Sequence, residues 1–222
     1  LDSAIVEGGF IRYQEFFPNA MLPGSIDFED VNASIAPFVM RKSTEVFPLK
    51  SSTLLATAEL MGEGDVTLKA DMRFVEPYPM DVAVELGEFD LTKLNSMISK
   101  VAFINVVEGK VTGGKWNFKM DDDVAKGKMN FRYEDLKIEF LDSLTLERGR
   151  GKLGLMTFLA NTITKKSNPR SFFNRKVTSR IYFERDKSKF IFGGWWRATF
   201  SGLKGAVGLG QAKAPKRKEE EE

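Results

Sequence analysis

The chain has 222 residues, a mass of 25.0 kDa, no cysteine and no histidine. These absences exclude disulfides, thiolate nucleophiles, zinc sites built from cysteine or histidine, and Ser-His-Asp triads within this sequence. The net charge of +2 is unevenly distributed, because residues 1–149 carry a net −9 and residues 150–222 a net +11. The basic part therefore either meets an anionic partner or docks on the acidic part.

Alternation of apolar and polar residues predicts antiparallel strands along the first two-thirds of the chain, each with one apolar face. The alternating runs are 25–28, 54–60, 68–74, 81–86, 115–120, 128–133 and 137–140. Short turn sequences separate them, for example 62–65 and 121–123. The clearest helix of this region is predicted over 90–100, with Asp90 or Thr92 as its N-cap.

The C-terminal third is predicted to contain helices and one more strand. Residues 153–163 place apolar side chains on one helix face, and residues 178–184 alternate as a last strand. A further helix is predicted over 190–209, although six glycines between 193 and 210 weaken it. The final segment, 211–222, is basic and then acidic, and we expect it to be disordered.

The apolar strand faces indicate a mainly β fold and must be covered. A second sheet, a closed barrel, or an apolar ligand in an open curved sheet would each cover them. Periodicity does not separate these alternatives, because an ordinary core and a ligand-binding face use the same residue types. The residues concerned are Leu68, Met72, Phe74, Val82, Val84, Trp116, Phe118, Met120, Met129, Phe131, Tyr133, Ile138 and Phe140.

The helix predicted over 190–209 has two interpretations. One side would carry Phe192, Trp196, Thr199, Phe200, Leu203 and Val207, and the other side Arg197, Ser201 and Lys204. A short basic helix with tryptophans suits a membrane interface. The same helix also suits a plug over the open end of a sheet.

Motifs typical of enzymes or metal sites are incomplete. The run 109–116 approaches a phosphate-binding loop but has Trp116 where Ser or Thr is needed, and 149–154 lacks the later acidic residue of a dinucleotide site. The three aspartates at 121–123 lack EF-hand spacing. The basic cluster at 165–180 has no nucleic-acid-binding signature. We therefore predict no catalytic residues, no metal, no cofactor and no nucleic-acid partner.

Several motifs occur in the order found in a known family. They are 86–95, 107–111, 116–120, 127–131 and 133–138, followed by 158–162, 168–170 and 200–204. On these motifs, the chain from about 54 to 209 resembles the C-terminal region of AsmA-like bacterial envelope proteins, whose relatives include TamB and YhdP. The later motifs are similar to those of the Bacteroidetes-type members.

The resemblance implies a curved antiparallel sheet that forms an open groove or half-barrel, with a few short helices, two of them toward the C-terminus. It implies a non-enzymatic protein that binds phospholipid acyl chains, takes part in phospholipid transport between the inner and outer membranes, and supports envelope integrity. It also implies a periplasmic location, a membrane anchor N-terminal to this chain, and an envelope protein partner at the C-terminal end. The alternative is an envelope scaffold with a closed core and no lipid ligand.

Three segments and two sets of site residues follow from this interpretation. The segments are a β groove domain over 1–149 that continues upstream, a basic segment over 150–210, and a disordered tail over 211–222. The thirteen apolar strand residues would bind the acyl chains. The residues expected to contact a membrane surface are Trp195, Trp196, Arg197, Phe200, Leu203 and Lys204.

Overall fold

The structure, a computed structural model, describes residues 3–16, 22–38, 51–154, 156–157, 166–169, 178–188 and 190–210. The tail predicted over 211–222, much of the helix predicted over 153–163 and most of the basic cluster at 165–180 lie outside these residues. The described part is mainly β, as predicted. Its strands form one antiparallel sheet that is not closed into a barrel.

The described residues form nine strands and three short helices. The strands are β1 (Ala4–Glu15), β2 (Gly24–Ala36), β3 (Ser51–Leu60), β4 (Gly64–Arg73), β5 (Met80–Leu86), β6 (Phe89–Asp90), β7 (Ile104–Met120), β8 (Val124–Phe140) and β9 (Thr178–Glu184). Their order across the sheet is β1-β2-β3-β4-β5-β7-β8-β9, and β6 pairs with β7. The helices are α1 (Asn95–Val101), α2, which begins at Lys152, and α3 (Ile191–Val207).

The strand register brings the alternating apolar residues together on one face of the sheet, which we call the inner face. One row across this face consists of Ala33, Ala56, Leu68, Val84, Trp116, Met129 and Ser179, each directly opposite the next. The adjacent row contains Leu54, Ala70, Val82, Phe118, Gly127 and Ile181. Charged residues such as Lys69 and Glu85 alternate onto the outer face.

Two strands are longer than the alternation predicts. The runs 128–133 and 137–140 belong to one strand, β8, and β7 likewise continues from 104 to 120. The register between β7 and β8 shifts before Gly113, and Asp135 has a positive φ of 54°. Such a bulge moves one residue to the opposite face, so the alternation is interrupted although the strand continues.

Strand β1 is absent from the sequence prediction for the same reason. Its register with β2 shifts between Val6 and Gly9, and Gly8 has a φ of +58°. The bulge at Gly8 therefore separates two short runs that point to the same face. Neither run is long enough to be recognised by alternation alone.

Helix α1 forms where the sequence predicts it and closes one end of the sheet. A 3₁₀ turn over Leu91–Leu94 precedes it, and the Asp90 carboxylate accepts a hydrogen bond of 2.8 Å from the Thr92 amide. Asn95 then exchanges two hydrogen bonds of 2.8 Å with the backbone of Val106. These bonds hold α1 against β7, and the helix also contacts β2.

Helix α3 packs on the inner face through small residues. Its buried residues are Gly194, Trp195, Ala198, Ser201, Gly202, Gly205 and Ala206. A Cβ atom at Gly202 would lie 2.8 Å from Ile181 and 3.2 Å from Met129, which is closer than side chains normally approach. The glycines that weaken the helix intrinsically therefore allow its backbone to approach β8 and β9 closely.

The sheet curves around α3, because its two edge strands contact the same helix. Eight strands in a flat sheet would place β1 about 34 Å from β9 at ~4.8 Å per strand. An α-helix with its side chains is only about 10–12 Å wide. Nevertheless, α3 packs against β9 and forms an ion pair between Arg197 and Glu15 of β1.

The close packing of α3 predicts opposite effects for two glycine substitutions. Gly202→Ala should destabilise the protein by about 1–2 kcal/mol, because the added methyl group overlaps Ile181. Gly193→Ala is the control: its Cβ would lie 3.6 Å from the Tyr13 hydroxyl, and helix propensity should stabilise the protein by up to ~1 kcal/mol. Urea unfolding measures both. Equal stabilisation by the two substitutions would contradict the close approach of α3.

Candidate apolar groove

The thirteen residues predicted to bind acyl chains divide into two groups by burial. Eight are buried in the core, namely Val82, Val84, Phe118, Met120, Met129, Phe131, Tyr133 and Ile138. The other five, Leu68, Met72, Phe74, Trp116 and Phe140, are partly exposed. Only the second group is accessible from solvent, so the structure limits direct ligand contact to part of the predicted set.

Helix α3 covers the β7–β9 side of the inner face. The Ser179 hydroxyl donates a hydrogen bond of 2.7 Å to the carbonyl of Gly202, and the Tyr133 hydroxyl donates one of 3.4 Å to the carbonyl of Ala206. Met129 beneath the helix is fully buried. This half of the inner face is therefore ordinary protein core.

The inner face is more open toward β3 and β4. Along the row that crosses the sheet, Met129 and Val84 are buried, whereas Leu68, Ala56 and Ala33 are partly exposed. We define the open groove by the partly exposed inner-face residues of β3 and β4, which are Leu54, Ala56, Ala58, Val66, Leu68 and Met72. None of these side chains is charged, so the groove suits an apolar ligand and offers no acid or base.

Large side chains of α3 lie beside the open groove. The Trp116 indole donates a hydrogen bond of 3.1 Å to the Thr199 hydroxyl, and Trp116 lies next to Val84 in the row that leads to Leu68. Helix geometry places Trp196, Phe200 and Leu203 on the same side of α3 as Thr199. These three residues are partly exposed. They lie on the same side of α3 as the contact with Trp116.

The residues predicted to contact a membrane have different environments. Trp195 is only 6% exposed, and its indole N–H points at the sulfur of Met80 at 3.2 Å. Trp196 and Phe200 stack with ring centroids 6.0 Å apart, and the Lys204 ammonium lies 5.3 Å from the Phe200 ring. Trp195 therefore belongs to the core, whereas Trp196, Phe200 and Lys204 are accessible.

Arg197 connects α3 to the edge strand β1 instead of extending into solvent. Its guanidinium forms an ion pair with Glu15, whose other carboxylate oxygen accepts a hydrogen bond of 2.8 Å from the Tyr13 hydroxyl. Burial and the hydrogen bond to Glu15 raise the pKa of Tyr13, which further favours the protonated hydroxyl that donates to Glu15. The three side chains close the space between β1 and α3.

The structure also shows an exposed apolar cluster that the sequence does not predict. It consists of Val75, Tyr78, Phe190 and Phe192, which we call the rim. Its loops converge: the Asp122 amide donates to the Pro77 carbonyl at 3.2 Å, and the Arg185 amide donates to the Asp123 carbonyl at 2.8 Å. Val75, Tyr78 and Phe190 lie outside helices and strands and carry no periodic signal, so only the tertiary structure brings them near Phe192 of α3.

Phe192 lies in the first turn of α3 and contacts Trp195, so the rim is at the N-terminal end of this helix. Their rings meet edge to face at 5.1 Å, and Phe190 meets Phe192 in the same way at 5.3 Å. Phe190 is 74% exposed and Phe192 is 48% exposed. The rim therefore lies at the end of the sheet where α3 begins, beside Met80 and the end of the open groove at Met72.

No protein-family model, no curated protein and no solved structure matches this chain. The resemblance to AsmA-like proteins therefore stays a prediction. In the part of the chain that the structure describes, no helix has the length and apolarity needed to cross a bilayer. The same residues contain no group of three or more Asp and Glu side chains that could hold a metal ion.

We expect the ion pair between Arg197 and Glu15 to contribute to stability. The Glu15 side chain is 12% exposed and that of Arg197 is 33% exposed, so a double-mutant cycle with Arg197→Ala and Glu15→Ala should give a coupling energy of about 1–2 kcal/mol. The exposed pair Lys110–Glu88 is the control and should show much weaker coupling, because water screens it. Urea unfolding of the variants measures both cycles. Equal coupling would mean that Glu15 does not hold α3.

Proposed function

We propose that this protein binds acyl chains in the open groove without catalysing a reaction. The observation that carries the proposal is the set of uncharged, partly exposed inner-face residues on β3 and β4, such as Ala56 and Leu68, although Ala70 beside them is buried. An apolar surface of this kind suits an apolar ligand. The resemblance to AsmA-like proteins supports phospholipid as the ligand and transport in the bacterial cell envelope, on its periplasmic side, as the role.

The dimensions and composition of the groove fit one acyl chain. From Val66 to Met72, β4 extends about 20 Å. An acyl chain spans half of the ~30 Å hydrocarbon core of a bilayer, which is about 15 Å. Burial contributes about 0.8 kcal/mol per methylene, so eight buried methylenes would contribute ~6 kcal/mol before the cost of ordering the chain.

Neighbouring residues of β3 allow a matched test of the groove. Ala56 is on the inner face and Leu55 on the outer face, and neither side chain is fully buried. Ala56→Trp should fill the groove and weaken binding of a fluorescent long-chain fatty acid by at least about tenfold. Leu55→Trp should leave binding unchanged. Phospholipid that co-purifies with each protein can be measured by mass spectrometry of an organic extract. Ala56→Trp should carry less phospholipid than the unsubstituted protein, and Leu55→Trp the same amount.

The outcomes separate a carrier from a scaffold. Thermal unfolding of both variants should resemble that of the unsubstituted protein, because each residue tolerates a larger side chain at a partly open surface. Equal binding by Ala56→Trp and Leu55→Trp would contradict the groove. No bound lipid and no fatty-acid binding by the unsubstituted protein would favour the scaffold with a closed core.

We also propose that the rim contacts the membrane that supplies or receives the lipid. Aromatic side chains are favoured at membrane–water interfaces, and Tyr78, Phe190 and Phe192 are exposed beside the groove end at Met72. Two ion pairs lie near the rim, Asp122 with Arg185 and Asp123 with Lys187, so four of the nearby charges are neutralised in pairs. We therefore expect contact with a zwitterionic bilayer rather than attraction by net charge.

Removing the rim aromatics should weaken membrane contact. The double variant Phe190→Ser and Phe192→Ser should sediment less with phosphatidylcholine vesicles than the unsubstituted protein, because two apolar side chains no longer enter the interface. The control is Leu144→Ser with Val107→Ser, which also removes two exposed apolar residues outside the rim. Identical sedimentation of the two double variants would contradict the assignment of the rim.

A further inference from the structure

The outer face of the sheet changes in charge between β4 and β9. On β4, the Lys69 ammonium lies 3.1 Å from the Asp71 carboxylate, and between β7 and β5 the Lys115 ammonium lies 2.7 Å from that of Glu85. These pairs are exposed, so each contributes little to stability. They nevertheless balance positive and negative charge on this side of the outer face.

The outer face of β8 and β9 is positively charged instead. Its cations are Lys126, Lys128 and Arg180, together with Lys119 on the adjoining strand β7, and we call these four residues the cationic patch. All four are exposed. Lys119 lies 3.4 Å from Asp81, whereas the other three form no ion pair with a residue that the structure describes.

The strand register places like charges directly opposite each other within the cationic patch. Lys126 of β8 lies opposite Lys119 of β7. On the other side of the same strand, Lys128 lies opposite Arg180 of β9. Like charges at directly opposite positions destabilise a pair of strands. The patch therefore lowers the stability of the sheet that carries it.

Carboxylates flank the cationic patch at the hairpin end of β8. Asp121 precedes this strand, and Glu184 of β9 accepts a hydrogen bond of 3.2 Å from the Tyr182 hydroxyl. From there to Asn130 and Thr178, the described outer face of β8 and β9 has no acidic residue. A partner that brings negative charge to the patch would relieve the repulsion.

The spacing of the cationic patch suits an extended acidic segment. Alternate residues of a strand lie about 6.8 Å apart, so Lys126 and Lys128 project at the spacing of alternate side chains in another extended chain. Ion pairs between carboxylates and Lys or Arg are strengthened by hydrogen bonds. We propose that the cationic patch binds an acidic segment of another polypeptide, whose alternate Asp or Glu side chains pair with Lys126, Lys128 and Arg180.

Two other anionic partners fit the cationic patch less well. The outer face is convex, because the sheet curves around α3, so a flat bilayer would touch it along a narrow line. Single-stranded nucleic acid is bound where its bases stack on several aromatic rings. The described outer face of β8 and β9 has one such ring, that of Tyr182. An acidic polypeptide requires neither a flat surface nor a row of rings.

The cationic patch and the open groove are on opposite faces of the sheet, so this proposal does not rest on acyl-chain binding. Substitutions in the patch should leave the binding of a fluorescent fatty acid unchanged. Binding of an acidic partner should likewise be unchanged by Ala56→Trp.

The repulsion within the patch can be measured without a partner. Lys128→Gln should raise the urea midpoint of unfolding, because it removes a charge opposite Arg180, and added salt should reduce the difference by screening. Lys69→Gln is the control and should not raise the midpoint, since it removes a paired charge. A midpoint that falls with Lys128→Gln would overturn the proposal, because the patch would then be stabilised within the molecule.

Matched double variants test the binding of an acidic segment. Lys128→Gln with Arg180→Gln removes two patch cations, and Lys69→Gln with Lys110→Gln removes two exposed, paired cations elsewhere. Both lower the net charge equally, and neither should unfold the protein. The probe is a fluorescent peptide of alternating glutamate and threonine, whose carboxylates share one face when it is extended.

The patch variant should bind this peptide at least about tenfold more weakly than the unsubstituted protein, and the control variant within about twofold of it. Equal losses in the two variants would overturn the proposal, because net charge alone would then explain binding. No binding by the unsubstituted protein at low salt would also overturn it. Phosphatidylglycerol vesicles and a single-stranded oligonucleotide are the competing probes. A patch variant that loses one of these while it keeps the peptide would assign the patch to that partner instead.

Discussion

The close packing of α3 on β8 and β9 determines which parts of the molecule are closed and which are open. Small residues bring the helix backbone against Ile181 and Met129, and Ser179 and Ser201 satisfy polar groups at the contact. A helix with large side chains on this face would stand farther from the sheet. Arg197 would then not reach Glu15 on β1, and the sheet would not be held around the helix.

This packing divides one continuous apolar face into two parts with different properties. Under α3, the inner face is dry core, and Met129 has no exposed surface. On β3 and β4, the same face is only partly covered, and its residues Leu68 and Ala56 are partly exposed, whereas Ala70 is buried. The strand patterns of the two parts are alike, so the difference arises from the position of the helix and not from the strands themselves.

The sequence therefore predicts the sheet well and the groove only in part. Period-two alternation identifies the inner face of β4, β5, β7 and β8, because each side chain's face follows from its position along a strand. It does not identify β1, where the bulge at Gly8 interrupts the pattern. It also does not show that Val82 and Phe118 are buried while Leu68 is partly exposed, since burial depends on tertiary contacts with residues far away in the sequence.

The two adjacent tryptophans of α3 illustrate why the helix had two interpretations. Successive residues differ by about 100° around a helix, so Trp195 points to Met80 in the core while Trp196 lies beside the groove. Lifting α3 onto a membrane would expose Trp195 and break the contacts of its small-residue face. Exposing one large apolar side chain costs about 1.5–3 kcal/mol, before the lost hydrogen bonds are counted. The rim can meet a bilayer with α3 in place, and membrane contact through the rim is therefore favoured over insertion of the helix.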